Sequence, residues 1–193
     1  MSMEYGCLFC VTGHERNVMN YLLDQGIKAI SPIKIRLRRR KGAMELENVL
    51  LFPGYVFFAI DDVDSQGIIT VRSEQKKEYE FYQQIQENQD LHIIKSHSDV
   101  IKVLRSGENG KWELAGADKE FVQQLFSIDG EIGLSKAYYV GKKIHIQSGF
   151  LKKYESSITA VNRRAKTAHV TVTINDREFS LWLGFEEIAD GCI

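Results

Sequence analysis

The sequence predicts an α+β fold: a helix-containing sandwich with an antiparallel sheet, followed by a small five-stranded β-barrel. Three observations carry this prediction. A strongly apolar, β-prone run occupies residues 52–60, a helical pattern and a basic hairpin precede it, and from residue 135 onward short strand-like segments alternate with turns.

The run at 52–60 is bounded by a Pro-Gly turn and by two aspartates. Successive side chains of a strand point to opposite faces, so Tyr55 and Phe57 share one face while Val56 and Phe58 share the other. Both faces therefore need cover. One interpretation is a central core strand, and the other leaves the Tyr55 face for a partner protein.

The elements before this run are predicted from hydrophobic periodicity and from residues that start or end helices and strands. Residues 5–12 are aromatic and β-prone, which predicts a strand, and the next helix begins at Thr12 or Gly13 and ends at Gly26. Residues 33–51 alternate in part, which predicts a β-hairpin with a basic tip.

The middle of the chain gives weaker signals. Residues 73–89 are polar but compatible with a helix, and 92–94 and 100–104 have the pattern of short strands. Asp118 is positioned to cap a short helix within a connector at 106–134 that carries two bases and six acids.

The carboxy-terminal part predicts the barrel. Strands are expected at 143–147, 157–162, 168–174 and 178–183, with a fifth near Glu187 and no helix between them. A module of this size is close to the lower limit for an independent core, so its inward-facing apolar residues are assigned to packing.

Composition excludes several classes of protein. The 193 residues are 44% hydrophobic and 26% charged, without a long apolar run or a leader pattern, which predicts a folded cytoplasmic protein without a membrane span. Cys7 and Cys10 form a CxxC motif, but they point to opposite faces of a strand and no second ligand pair follows. We expect no metal, no other cofactor and no enzymatic activity, because phosphate-binding loops and nucleophile motifs are absent too.

Charge is uneven along the chain. Residues 1–41 carry eight bases against three acids, and residues 141–166 carry seven bases against Glu155 alone. The two basic regions therefore flank the acidic connector.

These features together resemble the NusG family of transcription factors. A strand leads into the Gly13-His14-Glu15 corner, a helix and a basic hairpin follow, and Phe52-Pro53-Gly54-Tyr55-Val56-Phe57 matches the family's PGY signature. Residues 141–149 and the turn after them match the KOW signature. The resemblance covers nearly the whole chain and implies an NGN-type α/β sandwich with an antiparallel sheet, then an SH3-like five-stranded β-barrel of the KOW type. The expected domains are 1–105 (NGN), 106–134 (acidic linker with a short helix) and 135–193 (KOW).

Within the family, the sequence resembles the LoaP branch of specialised paralogues. The matching segments are Ser135-Lys136-Ala137-Tyr138, Gly149-Phe150-Leu151 with Glu155, and Asn162-Arg163-Arg164-Ala165-Lys166. The chain departs from that branch at Phe150, where proline is usual, and in a longer polar segment at 61–89.

The resemblance implies a partner for the aromatic face. In this family the NGN domain docks on the clamp helices of bacterial RNA polymerase, bridges the DNA channel and suppresses pausing, without chemistry of its own. The matching positions are Phe9, Phe52, Pro53, Tyr55 and Phe57.

Two sets of bases are candidates for DNA contact. The family resemblance directs His14 and Arg16 toward the non-template strand, and a mobile basic tip formed by Arg38, Arg39 and Arg40 gains affinity for phosphates by counterion release. The alternatives are a helix start with a surface histidine and a solvated hairpin tip.

The bases of the barrel predict contact with RNA, because basic turns on a barrel can clasp phosphates. The set comprises Lys142, Lys143, Lys152, Lys153, Arg163, Arg164 and Lys166. LoaP-like members are expected to recognise a nascent leader RNA hairpin and to promote processive antitermination of specific operons. The alternatives are solubilising lysines, a housekeeping role in which the barrel binds Rho or the ribosome through NusE, and an RNA- or ribosome-binding accessory protein that does not engage polymerase. A monomer is expected.

Overall fold

The fold is known from a computed structural model that describes residues 2–62, 89–105 and 110–188. Their contacts divide them into two compact units. The first unit contains Met1–Ser31 and Phe52–Gln123, and the second contains Pro32–Leu51 and Gln124–Ile193. The β-hairpin thus belongs to the same unit as the carboxy-terminal strands, although some 70 residues of the first unit separate them in the sequence.

The described α-helices lie among the strands of the first two thirds of the chain, and strands dominate later. In chain order they are β1 (Ser2–Cys10), α1 (Glu15–Asp24), β2 (Lys28–Ile30), β3 (Ile33–Arg40), β4 (Ala43–Leu50), β5 (Tyr55–Asp62), α2 (residues 89–96), β6 (Val100–Val103), α3 (Gly116–Phe126), β7 (Glu131–Ile132), β8 (Ser135–Val140), β9 (Lys143–Ser148), a 3₁₀ helix (Phe150–Ser157), β10 (Ala160–Asn162), β11 (Thr167–Ile174) and β12 (Arg177–Glu187). The predicted α+β class is confirmed.

The first unit is built on a four-stranded antiparallel sheet in the order β2-β5-β1-β6. One face of this sheet packs on α1, where Leu8, Val56 and Phe58 meet Val18 and Leu22 in a fully buried cluster. The run at 52–60 therefore includes a central strand, as its two apolar faces predict.

The chain segment after β6 completes this unit. Trp112 is 6% exposed and its indole stacks on the ring of Phe58, with centroids 5.4 Å apart. Leu114 donates a backbone hydrogen bond to Tyr5 at 2.8 Å, and Lys119 forms an ion pair with Glu4 at 2.9 Å. This part of the acidic connector is therefore packed on the sheet.

The second unit contains a curled five-stranded sheet in the order β10-β11-β12-β8-β9. β8 and β12 run parallel, and the other neighbouring pairs are antiparallel. Alternating residues of β11, including Val170 and Val172, are buried, which agrees with their assignment to packing.

The basic hairpin β3-β4 forms a separate three-stranded sheet with β7. Gly184 of β12 lies against the backbone of β3, where an added Cβ would come 2.8 Å from the carbonyl oxygen of Ile35. Only glycine permits this close approach between the hairpin and the curled sheet.

Three predicted elements differ from the structure. Residues 92–94, predicted as a strand, lie in α2, where Leu91 and Ile94 are buried at a helical spacing. Phe150–Ser157 form a 3₁₀ helix in a region predicted to have none, because Phe150 and Leu151 turn inward to pack. The strand predicted at 157–162 is therefore shortened to β10. Most of the helix predicted at 73–89 lies outside the described residues.

Replacing Val56 by alanine tests the position of the central strand. Val56 is fully buried, so we expect Val56→Ala to lower the free energy of unfolding by about 1–3 kcal/mol through lost apolar contacts and a cavity. Val140, which is 58% exposed on β8, supplies the matched control, and Val140→Ala should change stability by less than about 0.5 kcal/mol. Urea unfolding measures both, and equal effects would contradict the packing of β5.

Candidate functional site

A buried carboxylate joins the two loops that border the aromatic face. Glu15, the first residue of α1, is 2% exposed. Its carboxylate accepts hydrogen bonds from the backbone N–H of Gly13 at 2.9 Å and from the N–H of Gly54 at 2.6 Å. The corner before the helix and the Pro53-Gly54 turn are thus held by one side chain.

The hydrogen bonds to Glu15 affect its ionisation. Burial alone would raise the pKa of its carboxyl, but the N–H groups of Gly13, Glu15 and Gly54 stabilise the charged form, and the net result is a pKa below the ordinary 4.5. The carboxylate therefore stays charged at neutral pH.

The Pro53-Gly54 turn needs glycine for two reasons. Gly54 has a φ of +84°, and an added Cβ would come 2.8 Å from the ring of Phe9. Its carbonyl accepts a hydrogen bond from Cys10 N–H at 2.8 Å, which fixes the turn to the end of β1. The turn therefore sets where Tyr55 enters the sheet.

The predicted aromatic face is partly accessible. Phe9 and Tyr55 are directly paired across β1 and β5, their ring centroids are 5.2 Å apart, and both side chains are half-buried. Pro53 beside them is exposed. These three residues are called the Tyr55 patch.

The other two aromatic residues of the predicted set are buried. Phe52 and Phe57 are each 1% exposed, and their rings contact one another at 5.4 Å. Phe121 of α3 meets Phe52 edge-on at 6.1 Å. The structure thus brings the predicted aromatic residues together but leaves only the Tyr55 patch accessible.

The candidate DNA-contact residues are exposed but lie in different units. His14 forms a 2.9 Å contact with Asp99, and Arg16 next to it is exposed on α1 of the first unit. Arg38, Arg39 and Arg40 lie at the hairpin tip of the second unit, where Arg38 pairs with Glu47 at 2.7 Å.

The candidate RNA-contact residues of the barrel differ in how much they are already engaged. Lys152 pairs with Glu155 at 2.9 Å. The guanidinium of Arg163 lies 3.9 Å from the ring centroid of Tyr139 and donates a hydrogen bond to the carbonyl of Lys142. The other lysines of the set are exposed, apart from half-buried Lys166.

Sequence reasoning missed a groove in the second unit, which we call the Trp182 groove. It has a volume of about 920 Å³ and is lined by side chains of β3, of the hairpin tip, of the 162–167 turn and of β12. Lys34 and Trp182 both line it and were absent from every predicted site. The sequence signals were the half-apolar alternation of β3 and the predicted contact residues Arg38, Arg39 and Arg164, which also line the groove. They could not show that β12 would lie opposite β3.

The two cysteines of the CxxC motif are part of the core. Cys7 and Cys10 are buried and unbridged. Burial, and to a smaller extent the charges of Glu15 and Asp99, raises the pKa of Cys10 to about 11, so this thiol is protonated at neutral pH. In residues 2–62, 89–105 and 110–188, no group of three His, Cys, Asp or Glu side chains is arranged to hold a metal ion. None of the described helices has the length and apolarity required to cross a membrane.

Comparison with known proteins gives one family match. The family model described as "Transcription termination factor nusG" matches residues 3–119, more than half of the chain. A solved structure described as "Domain interaction in Thermotoga maritima NusG" is similar to this chain. The match covers 95% of this chain and 94% of that chain, at 18% identity and a TM-score of 0.42. No curated protein matches the sequence.

Removing the charge of Glu15 tests its role in joining the two loops. A carboxyl whose pKa is lower in the folded than in the unfolded state stabilises the fold above its unfolded pKa, and this contribution is lost as the pH falls through the folded value. We expect Glu15→Gln to lower the free energy of unfolding by about 1–3 kcal/mol at about pH 7, since hydrogen bonds to a charged group are lost. The deficit should shrink at about pH 3.

Urea unfolding at both pH values measures this difference. Glu178→Gln is the control, because Glu178 is exposed on β12, and we expect a change below about 0.5 kcal/mol. A deficit for Glu15→Gln of the same size at both pH values would show that shape and not charge holds the loops.

Proposed function

Because the chain belongs to the NusG family of transcription factors, we propose that it binds the clamp helices of bacterial RNA polymerase through the Tyr55 patch. The observation that carries this proposal is the pairing of Phe9 with Tyr55 beside exposed Pro53, on a turn fixed by Glu15. Rigid aromatic side chains at the centre of a patch are typical of interface hot spots. No covalent chemistry is part of this function.

Phe52 and Phe57 make the surroundings of the patch rigid. Phe57 lies on the same sheet face as Tyr55 and its ring contacts that of Phe52, which in turn meets Phe121, so the buried side chains beside the patch are fixed. A preorganised surface loses less conformational entropy on binding. Of the five positions suggested by the family pattern, we therefore assign direct contact to Phe9, Pro53 and Tyr55.

We further propose that exposed bases stabilise the open DNA of the transcribing complex. His14 and Arg16 lie at the corner held by Glu15 and are assigned to the non-template strand. Arg39 and Arg40 at the hairpin tip add sequence-independent phosphate contacts.

The carboxy-terminal sheet is assigned to nascent RNA. Lys142 and Lys143 are exposed at the turn between β8 and β9, and no described residue forms an ion pair with either. They can neutralise RNA phosphates without first breaking an internal pair. With the LoaP-like segments of the sequence, this favours recognition of a leader hairpin and antitermination of specific operons in the cytoplasm.

A housekeeping role is the second candidate, in which the same sheet binds Rho or the ribosome through NusE. Val140, which is 58% exposed immediately before the Lys142 turn, favours a protein surface at this point. The salt dependence of binding separates the two candidates, because an RNA contact releases counterions and an apolar contact does not.

Replacing Tyr55 by alanine tests the polymerase interface. Because Tyr55 is half-buried at the first position of β5, we expect Tyr55→Ala to leave the fold intact and to weaken binding to core polymerase by about 2 kcal/mol or more, roughly 30-fold. Biolayer interferometry with the full chain and immobilised core polymerase measures the change.

Tyr138→Ala is the matched control, because Tyr138 is another half-buried strand tyrosine and stacks on His145 of the second unit. It should bind polymerase normally. Unchanged binding by folded Tyr55→Ala would remove the Tyr55 patch from the interface.

A double substitution of Lys142 and Lys143 tests the RNA assignment. If both contact phosphates, their replacement by alanine should reduce the salt dependence of hairpin RNA affinity by about one unit of log-log slope per lysine. Binding of the full chain is measured by fluorescence anisotropy at four salt concentrations. Lys136→Ala, an exposed lysine on β8, should leave the slope unchanged. An unchanged slope in the double variant favours the protein-binding candidate.

A further inference from the structure

The Trp182 groove combines an excess of positive charge with an exposed aromatic ring. Among the described residues that line it, none is acidic and five carry cationic side chains: Lys34, Arg36, Arg38, Arg39 and Arg164. Its volume of about 920 Å³ is at the upper end of the range for small-molecule sites, which is more than one nucleotide requires.

The positive charge of the groove is only partly compensated. Glu47 on β4 accepts from Arg36 and from Arg38, each at 2.7 Å, so one carboxylate serves two guanidinium groups. Within the described residues, no carboxylate pairs with Lys34, Arg39 or Arg164. An anion in the groove would supply the missing charge.

Lys34 shows the same imbalance. Burial lowers the pKa of its ammonium group, and the charge of neighbouring Arg36 lowers it further. A lysine in this position gains from any anion that enters, because the charged form is then stabilised.

The turn that presents Arg164 is fixed. The side-chain oxygen of Asn162 accepts a hydrogen bond from Ala165 N–H at 2.9 Å, which closes the turn around Arg164. Lys166, with a φ of +51°, completes the reversal into β11. The guanidinium therefore starts from an ordered backbone, which reduces the entropy lost when it binds a ligand.

Trp182 gives the groove a flat apolar surface. Its side chain is 40% exposed although it is the largest residue of β12, and its ring contacts His169 at 5.0 Å with a tilt of 51°. Met44 of the hairpin, 49% exposed, adds apolar surface to the same groove. An exposed indole among cations suits the stacking of a planar base.

We propose that the Trp182 groove binds an unpaired polynucleotide strand, with one base stacked on Trp182 and adjacent phosphates held by Lys34, Arg39 and Arg164. An acidic peptide would use the cations but not the ring. A paired helix keeps its bases stacked inside, so its edge cannot place a base face on Trp182. The inference is separate from the hairpin contact proposed for Lys142 and Lys143, which lie outside this groove.

The two tryptophans of the chain make a direct test available. Trp112 is buried against Phe58, so in the full-length Trp112→Phe protein the fluorescence comes from Trp182 alone. We expect unpaired oligouridylate and oligodeoxythymidylate strands of about 12 nucleotides to quench it, because such strands span a typical single-strand site. The ligand that binds more tightly identifies the natural strand. Tighter binding of oligouridylate indicates the transcript, and tighter binding of oligodeoxythymidylate indicates the open DNA strand. Equal quenching by a duplex of the same length would overturn the proposal.

Variants of Trp182 in the otherwise unchanged chain separate stacking from charge. Trp182→Ala should weaken binding in anisotropy by roughly 5- to 150-fold, the effect of losing one stacked base. Trp182→Phe should restore most of the affinity but give no quenching, since only buried Trp112 then emits. Arg164→Ala removes an exposed cation at a second position of the groove. It should lower the slope of log affinity against log salt concentration by about one.

Two results would reject the groove as a polynucleotide site. One is an unchanged affinity for the unpaired strand in both single variants, Trp182→Ala and Arg164→Ala. The other is competition by polyglutamate as effective as competition by the unpaired strand, which would assign the groove to an acidic protein segment. The Lys142 and Lys143 double variant should retain full quenching, so failure of the hairpin assignment and failure of the groove give different results.

Discussion

The Glu15 carboxylate is the interaction on which the aromatic end of the first unit depends. It begins α1, closes the Gly13 corner and accepts a hydrogen bond from the N–H of Gly54, so two segments far apart in the sequence are fixed by one group. A buried charge is costly unless backbone donors satisfy it, and here they are supplied by two loops without other regular structure. The position of Tyr55 beside Phe9 follows from this arrangement, because the turn at Gly54 leads directly into β5.

Much of the first unit was predictable because its signals are local. The alternation around Tyr55 and Val56 gave the two faces of β5, and the hydrophobic spacing of Val18 and Leu22 gave α1. The sequence places Glu15 only at the corner before the helix, because it could not show that Gly54 would lie beside it. Likewise, strand parity places Phe57 on the face of Tyr55, but its burial could not be predicted, because Phe52 beside it is covered by Phe121, nearly 70 residues away in the sequence.

The candidate nucleic-acid surfaces show a similar limit. A count of bases treats Lys152, Arg163 and Arg164 alike, whereas the structure pairs Lys152 with Glu155 and places Arg163 over Tyr139. Bases that are already engaged contribute less to binding, because an existing contact must be given up. Ion-pair partners cannot be read from composition. The Trp182 groove could not be predicted either, because it depends on where the side chains of β3 and β12 lie in the folded protein.

The discontinuity of the second unit has a consequence for how the protein is made. The hairpin at Pro32–Leu51 leaves the ribosome long before its partners, since β7 begins at Glu131 and β12 ends at Glu187. During that interval the edge of β3 lacks its partner strand β7, and non-local pairing of this kind forms slowly. The arginines of the hairpin then act as gatekeepers: their charges oppose edge-to-edge association of nascent chains until the carboxy-terminal strands emerge.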